Sequence, residues 1–110
     1  MSVVRYRKDM GEKPMLKKQY LKSRPVCKVT FSLPTEVEAE SAAIVGDFTN
    51  WQAAPMEQLK DGRFKVVLEL NQGSEYQFRY LVNETDWVND TEADGYVPNP
   101  YATENSVVSV

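Results

Sequence analysis

The sequence predicts an all-β fold, an antiparallel β-sandwich of two layers. Short segments along the chain alternate apolar and polar residues with period two, the mark of a strand with one buried face. Turn signals built on glycine, proline and asparagine separate these segments at roughly the 8–12-residue spacing of a sandwich. The chain has 110 residues, 42% of them hydrophobic, which suits one domain with a single core.

The elements follow in order. In "VCKVTFSL", Cys27, Val29, Phe31 and Leu33 alternate with Lys28, Thr30 and Ser32, and Pro34 closes the run. "SAAIVGD" reads as a second strand, mostly buried. The stretch "GDFTNW" just after its apolar run, Gly46 to Trp51, places a phenylalanine and a tryptophan on a polar turn. "APMEQLKDG" predicts a short edge strand leading into a turn at Asp61-Gly62. In "RFKVVLEL", Phe64, Val66, Leu68 and Leu70 face inward; the turn "NQG" then reverses the chain into "SEYQFRYLVN". There Tyr76, Phe78, Tyr80 and Val82 share the core face, so Gln77, Arg79 and Leu81 point outward. "ETDWVNDTEADGYVPNPYATE" is polar and rich in turn formers and reads as a long loop, and "NSVVSV" supplies the last strand. The expected core is Cys27, Val29, Phe31, Val45, Phe64, Val66, Leu68, Phe78 and Tyr80. Phe48 is expected to pack behind its turn and hold it. The predicted organisation is an N-terminal arm over residues 1–25 and a β-sandwich module over 26–110. Within the arm, "GEKPMLKKQYLKS" suits a frayed segment, a helical turn or an added strand equally.

Composition removes several function classes. The net charge is −3 with a pI near 5.0 and no long block of like charge, which argues against a nucleic-acid groove. The opening segment lacks the apolar core of a signal peptide, and no run approaches the roughly 20 apolar residues of a membrane span. A soluble, cytoplasmic protein without membrane contact is expected. There is no histidine, and the one cysteine, Cys27, falls on an inward strand position and reads as a small buried hydrophobe. A zinc site is therefore not expected, nor any other metal or cofactor. The glycines stand singly, so no phosphate-cradling loop exists. Asp86 and Asp90 lie close enough to suggest an acid and base pair, but they read better as solvated loop carboxylates, with no apolar pocket nearby to raise one pKa. No residue set offers a nucleophile with its base, and an enzyme is not expected.

The order of "VTFSLP", "AAIVGDFTNWQ", "DGRFKVVLEL", "EYQFRYLV", a tryptophan followed by "ND", and "NSVVSV" resembles the carbohydrate-binding module at the front of isoamylases and glycogen-branching enzymes. The same module is the glycogen-binding domain of the AMP-activated protein kinase β subunit. The likeness runs from Lys28 to Val110 and implies an immunoglobulin-like, early-set sandwich. No segment resembles the barrel catalytic domain of those enzymes, so the chain is expected to be the module standing alone, similar to small isoamylase early-set domain proteins.

Glucose rings present flat C–H faces fringed with hydroxyls, so a protein that binds them needs exposed aromatic faces and a few polar groups at the rim. In the kinase-type module, the resemblance places such a platform at positions that fall here on Trp51, Arg79, Trp87, Tyr101 and Asn105. Arg79 stands where that module has lysine and Tyr101 where it has an aliphatic residue. "NETD" before Trp87 is one residue longer than the usual D-G-x. Four of the five also have a purely structural role open to them: Trp51 and Trp87 against the sandwich, Arg79 paired with Glu69 or Glu84, Asn105 tying the loop before the last strand. The implied function is non-catalytic binding of α-1,4-linked glucans such as glycogen, maltodextrin or starch. The alternative is a protein-interaction module that docks on a glycogen-metabolising enzyme through the same aromatic patch.

Overall fold

The computed structural model describes residues 16–33, 39–101 and 103–110. Its strands are β1 (Leu16–Tyr20), β2 (Val26–Leu33), β3 (Ala42–Gly46), β4 (Ala54–Pro55), β5 (Glu57–Gln58), β6 (Phe64–Asn71), β7 (Glu75–Val82), β8 (Asp86–Val88), β9 (Gly95–Pro98) and β10 (Glu104–Ser109). Helix among the described residues is limited to one 3₁₀ turn, Asp47–Thr49. One sheet has the order β1-β2-β6-β5. The other runs β4-β3-β7-β10-β9, with β8 added beside β7. Every pairing is antiparallel, and the two sheets pack face to face as an immunoglobulin-like sandwich.

The period-two pattern decides the packing. Cys27, Val29, Phe31 and Leu33 from the first sheet meet Ile44, Phe78, Tyr80 and Val82 from the second, all within 1% of complete burial. Phe31 meets Phe78 edge-on at 5.1 Å between ring centroids. Phe48 packs on Phe31 at 5.4 Å and lies near Phe78 and Tyr76, so it closes the core under its turn as expected. Val66 and Leu68 pack against this cluster but stay half-buried. Val45 is buried too, yet it pairs with outward-facing Arg79 and stands apart from the main core. Its burial comes from a cover on the outer face of the sheet.

Several local expectations change. Of the arm, residues 16–20 form the added strand β1, paired with β2 from Leu16↔Phe31 to Tyr20↔Cys27; residues 1–15 lie outside the described part. Lys18 on β1 reaches Asp94 of the other sheet's loop at 2.7 Å. The edge strand expected in "APMEQLKDG" is two short strands in different sheets, β4 beside β3 and β5 beside β6, with Met56 buried between them. The "NQG" turn reverses the chain but carries it from one sheet to the other, because β6 pairs with β2 while β7 pairs with β3. Gly73, at a positive φ of 81°, ties this corner to Val110 through its N–H at 2.6 Å.

The supposed long loop contains β8 and β9 and is anchored by Asp90, which is fully buried rather than solvated. The physical reason is Tyr80: its ring lies in the core, and the hydroxyl at its end needs an acceptor. Asp90 Oδ2 provides one at 2.7 Å. The other oxygen accepts the Glu92 N–H at 2.7 Å, and the Asp90 N–H donates to Ser106 Oγ. Burial pushes the Asp90 carboxyl above its usual range, with the bonds from Tyr80 and Glu92 opposing that in part. Burial, together with the Asp90 charge, raises the Tyr80 hydroxyl far above the ordinary phenol range.

Candidate functional site

Three chain segments meet on the outer face of the second sheet. The first is the turn after β3. Gly46 is extended, with φ −170°, so its need for glycine is steric: a Cβ there would lie 2.6 Å from Gln77 O and 2.8 Å from Phe78 Cβ. This close approach lets the turn sit directly against β7. The Asp47 carboxylate then clamps the turn, accepting the Gln77 N–H at 2.7 Å and the Trp51 indole N–H at 3.0 Å. Asn50 and Trp51 both take positive φ, 55° and 59°. That conformation costs roughly 1–2 kcal/mol at a non-glycine residue, and it persists because the Trp51 N–H is bonded to Gly46 O at 2.9 Å. Strain of this kind clusters at sites of function.

The second segment is the β7–β8 hairpin. Asn83 and Glu84 both have positive φ, and the N–H of Thr85 bonds Val82 O. The extra residue of "NETD" is thus absorbed in a tight reversal. Trp87 lands opposite Leu81, on the outward face it shares with Arg79. The Arg79 guanidinium carbon lies 5.5 Å from the Trp87 ring centroid, within cation–π range.

The third segment is the turn between β9 and β10. Asn99 organises it: the side-chain oxygen accepts the Tyr101 N–H at 2.9 Å, and its amide donates to Thr103 Oγ1 at 2.8 Å and Asn105 Oδ1 at 3.0 Å. Asn105 in turn donates to Gln77 Oε1 at 3.2 Å, so it both ties the loop and faces the same surface. Arg79 donates to Thr103 Oγ1 at 3.3 Å, not to Glu69, which pairs with Arg24. Arg79 Nε is buried with no hydrogen-bond partner among the described residues, and the desolvation lowers the guanidinium pKa below its ordinary value.

Trp51, Arg79, Trp87, Tyr101 and Asn105 therefore line one open groove of about 670 Å³, together with Asn99, Pro100 and Thr103. Trp51 and Trp87 are 44% and 48% exposed and Tyr101 is 83% exposed, which leaves aromatic surface free for a ligand. Asp47 and Asn99 escaped the sequence reading. Asp47 stands four residues before Trp51, and Asn99-Pro100 is a turn signal, yet neither shows from sequence alone which side chain it holds. The described groove lining contains one cation and no carboxylate, a character suited to a neutral, hydroxyl-rich ligand. Among the described residues no group of His, Cys, Asp or Glu side chains could hold a metal ion, and no helix is long and apolar enough to cross a membrane.

Residues 27–110 match the family model described as the glycogen recognition site of AMP-activated protein kinase. No curated protein sequence matches the chain. Among solved structures, the enterobactin esterase of Shigella flexneri, crystallised in the presence of enterobactin, superposes with a TM-score of 0.67 at 12% identity, over 90% of this chain and 33% of that one. Apo pullulanase from Paenibacillus barengoltzii superposes with a TM-score of 0.54 at 18% identity, over 89% of this chain and 14% of that one. The chain spans about a third of the esterase and about a seventh of the pullulanase, and at these identities the likeness is one of fold.

Proposed function

The chain belongs to the family of the AMP-activated protein kinase glycogen-recognition domain, and on that premise we propose that it binds α-1,4-linked glucans, without catalysis, in the groove between Trp51 and Trp87. The observation that carries this reading is the convergence of Trp51, Arg79, Trp87, Tyr101 and Asn105 on a single open groove. The indole of Trp51 is held at its edge by Asp47, which leaves the ring face to stack on a pyranose. Arg79 and Asn105 supply donors and acceptors for the hydroxyl fringe, and the Trp87 ring under the Arg79 guanidinium fixes the cation's position before a ligand arrives. Side chains held in this way lose little freedom on binding.

The test is affinity electrophoresis of the wild type and Trp51→Ala in gels containing glycogen, with thermal melts alongside. A stacked ring is worth roughly 1–3 kcal/mol, taking bases stacked on aromatic side chains as the guide. That amounts to about one to two decades of affinity, enough to abolish retardation by a weak ligand, while the mutant stays folded because the residue is exposed. A folded Trp51→Ala retarded as strongly as the wild type overturns the reading. A wild type that glycogen does not retard leaves the aromatic patch to a protein contact.

A further inference from the structure

The β9–β10 hairpin has two faces, and each borders a cavity. On the outer face lies the groove described above. On the reverse face a second cavity of about 700 Å³ is lined by Asn89, Tyr96, Pro98 and Glu104, and it shares Asn99 and Thr103 with the first. Register explains the placement. Tyr96 lies opposite Ser106 and Pro98 opposite Glu104, positions that face the sandwich interior. Because β9 is the edge strand, no element of the other sheet among the described residues covers them fully, and Tyr96 is left exposed. Its hydroxyl donates to the backbone oxygen of Asp90, a residue fixed by Tyr80, so the ring is held in one orientation at the surface.

We infer that this reverse face is a second contact surface for the same glucan, with the bound chain bending around the hairpin tip from Trp51 and Trp87 to Tyr96. The inference rests on the glucan reading above and adds a requirement to it. An α-1,4 linkage turns each glucose relative to the last and coils the chain, so a few linked residues reach both faces of a hairpin. A β-1,4 chain runs straight and engages one face alone. Tyr96 supplies the stacking ring, Pro98 beside it extends the apolar ledge, and the Glu104 carboxylate accepts sugar hydroxyls at the rim. The wall between the cavities is the turn that Asn99 braces, so its shape is set before the ligand binds.

Calorimetric titration of the full chain with maltotriose, maltoheptaose and cellohexaose tests this. The wild type is expected to bind maltoheptaose about tenfold more tightly than maltotriose, the gain of one further stacked ring. Tyr96→Ala erases that gain and leaves maltotriose unchanged. Tyr96→Phe, which keeps the ring and loses the tether to Asp90, retains most of it. Glu104→Ala, at an exposed side chain where folding is not at stake, weakens maltoheptaose alone, by about threefold for one hydrogen bond. Cellohexaose gains nothing from the reverse face, so Tyr96→Ala leaves its binding as it was. Amide resonances of Tyr96 and Glu104 shift with maltoheptaose and not with maltotriose. If Tyr96→Ala and Glu104→Ala bind maltoheptaose as the wild type does, while Trp51→Ala weakens every glucan, the second surface is overturned and the first groove stands. If the wild type binds no glucan of any length, the reading of the groove falls, and the second surface with it.

Discussion

The two sheets treat their outer faces differently. On β2 and β6 the outward positions Lys28, Val67 and Glu69 are exposed and Thr30 and Lys65 half-buried, with Ser32 alone of this set buried, largely the solvated side of a half-buried sheet. On the other sheet the outward positions Val45, Asn105 and Val107 are only 3%, 9% and 7% exposed, and Arg79 is half-buried with its Nε donor unpartnered among the described residues. Something covers that face, and the Trp51 turn, Trp87 and the turn braced by Asn99 lie on it around the groove. A sheet normally needs one buried face for stability. Here a small domain also closes over the other, with exposed aromatic rings in the cover, and that second closure is where the proposed glucan groove lies.

This contrast can be broken most forcefully at Gly46. Gly46→Ala places a methyl against Gln77 O and the Phe78 side chain, and such overpacking costs about 1–3 kcal/mol. Urea unfolding should show that loss, and glycogen retardation should weaken as well, because the Trp51 turn is lifted from β7. A variant as stable as the wild type would show that the sheet spreads at no cost.

Asp90 sharpens the comparison through pH. Burial holds its folded pKa above the unfolded value, so the folded state binds more protons over that interval. Its contribution to stability is full below the unfolded pKa and is lost as pH rises through the folded pKa. Wild type should therefore gain stability relative to Asp90→Asn as pH falls from neutrality through the folded pKa. Denaturant melts between pH 7 and pH 3 measure the difference, and a gap constant with pH contradicts the assignment.

Arg79→Ala is smaller in stability than in function. Losing a partly exposed cation–π contact costs about 0.5–1 kcal/mol, yet glucan affinity should drop measurably when maltoheptaose is titrated against the intrinsic fluorescence of Trp51 and Trp87. A stability loss several times larger would make the residue a structural one. Smallest of all is Lys28→Ala on the opposite sheet, which should change stability by less than about 0.5 kcal/mol and glycogen retardation not at all; a clear loss of retardation there would place the ligand on the wrong face.

Period-two alternation in "VCKVTFSL", "RFKVVLEL" and "EYQFRYLV" determined by itself that the chain is a sandwich and that Arg79 looks outward, because a strand's side chains alternate whatever it pairs with. The motif order made Trp51, Trp87, Tyr101 and Asn105 legible as one candidate set. What alternation could not carry is which strands pair. It left β6 and β7 looking like a hairpin when they belong to different sheets, and it left β1 unread, since an added strand is recognised only through the partner's backbone. The solvated-loop reading of Asp90 failed for a related reason: its burial is set by Tyr80, ten residues away in sequence and adjacent only after folding. The Asp47 clamp on Trp51 and the Asn99 brace under Tyr101 likewise depend on hydrogen bonds whose partners the tertiary structure alone brings into range. Local periodicity states which face a residue takes, and long-range pairing decides what lies across from it.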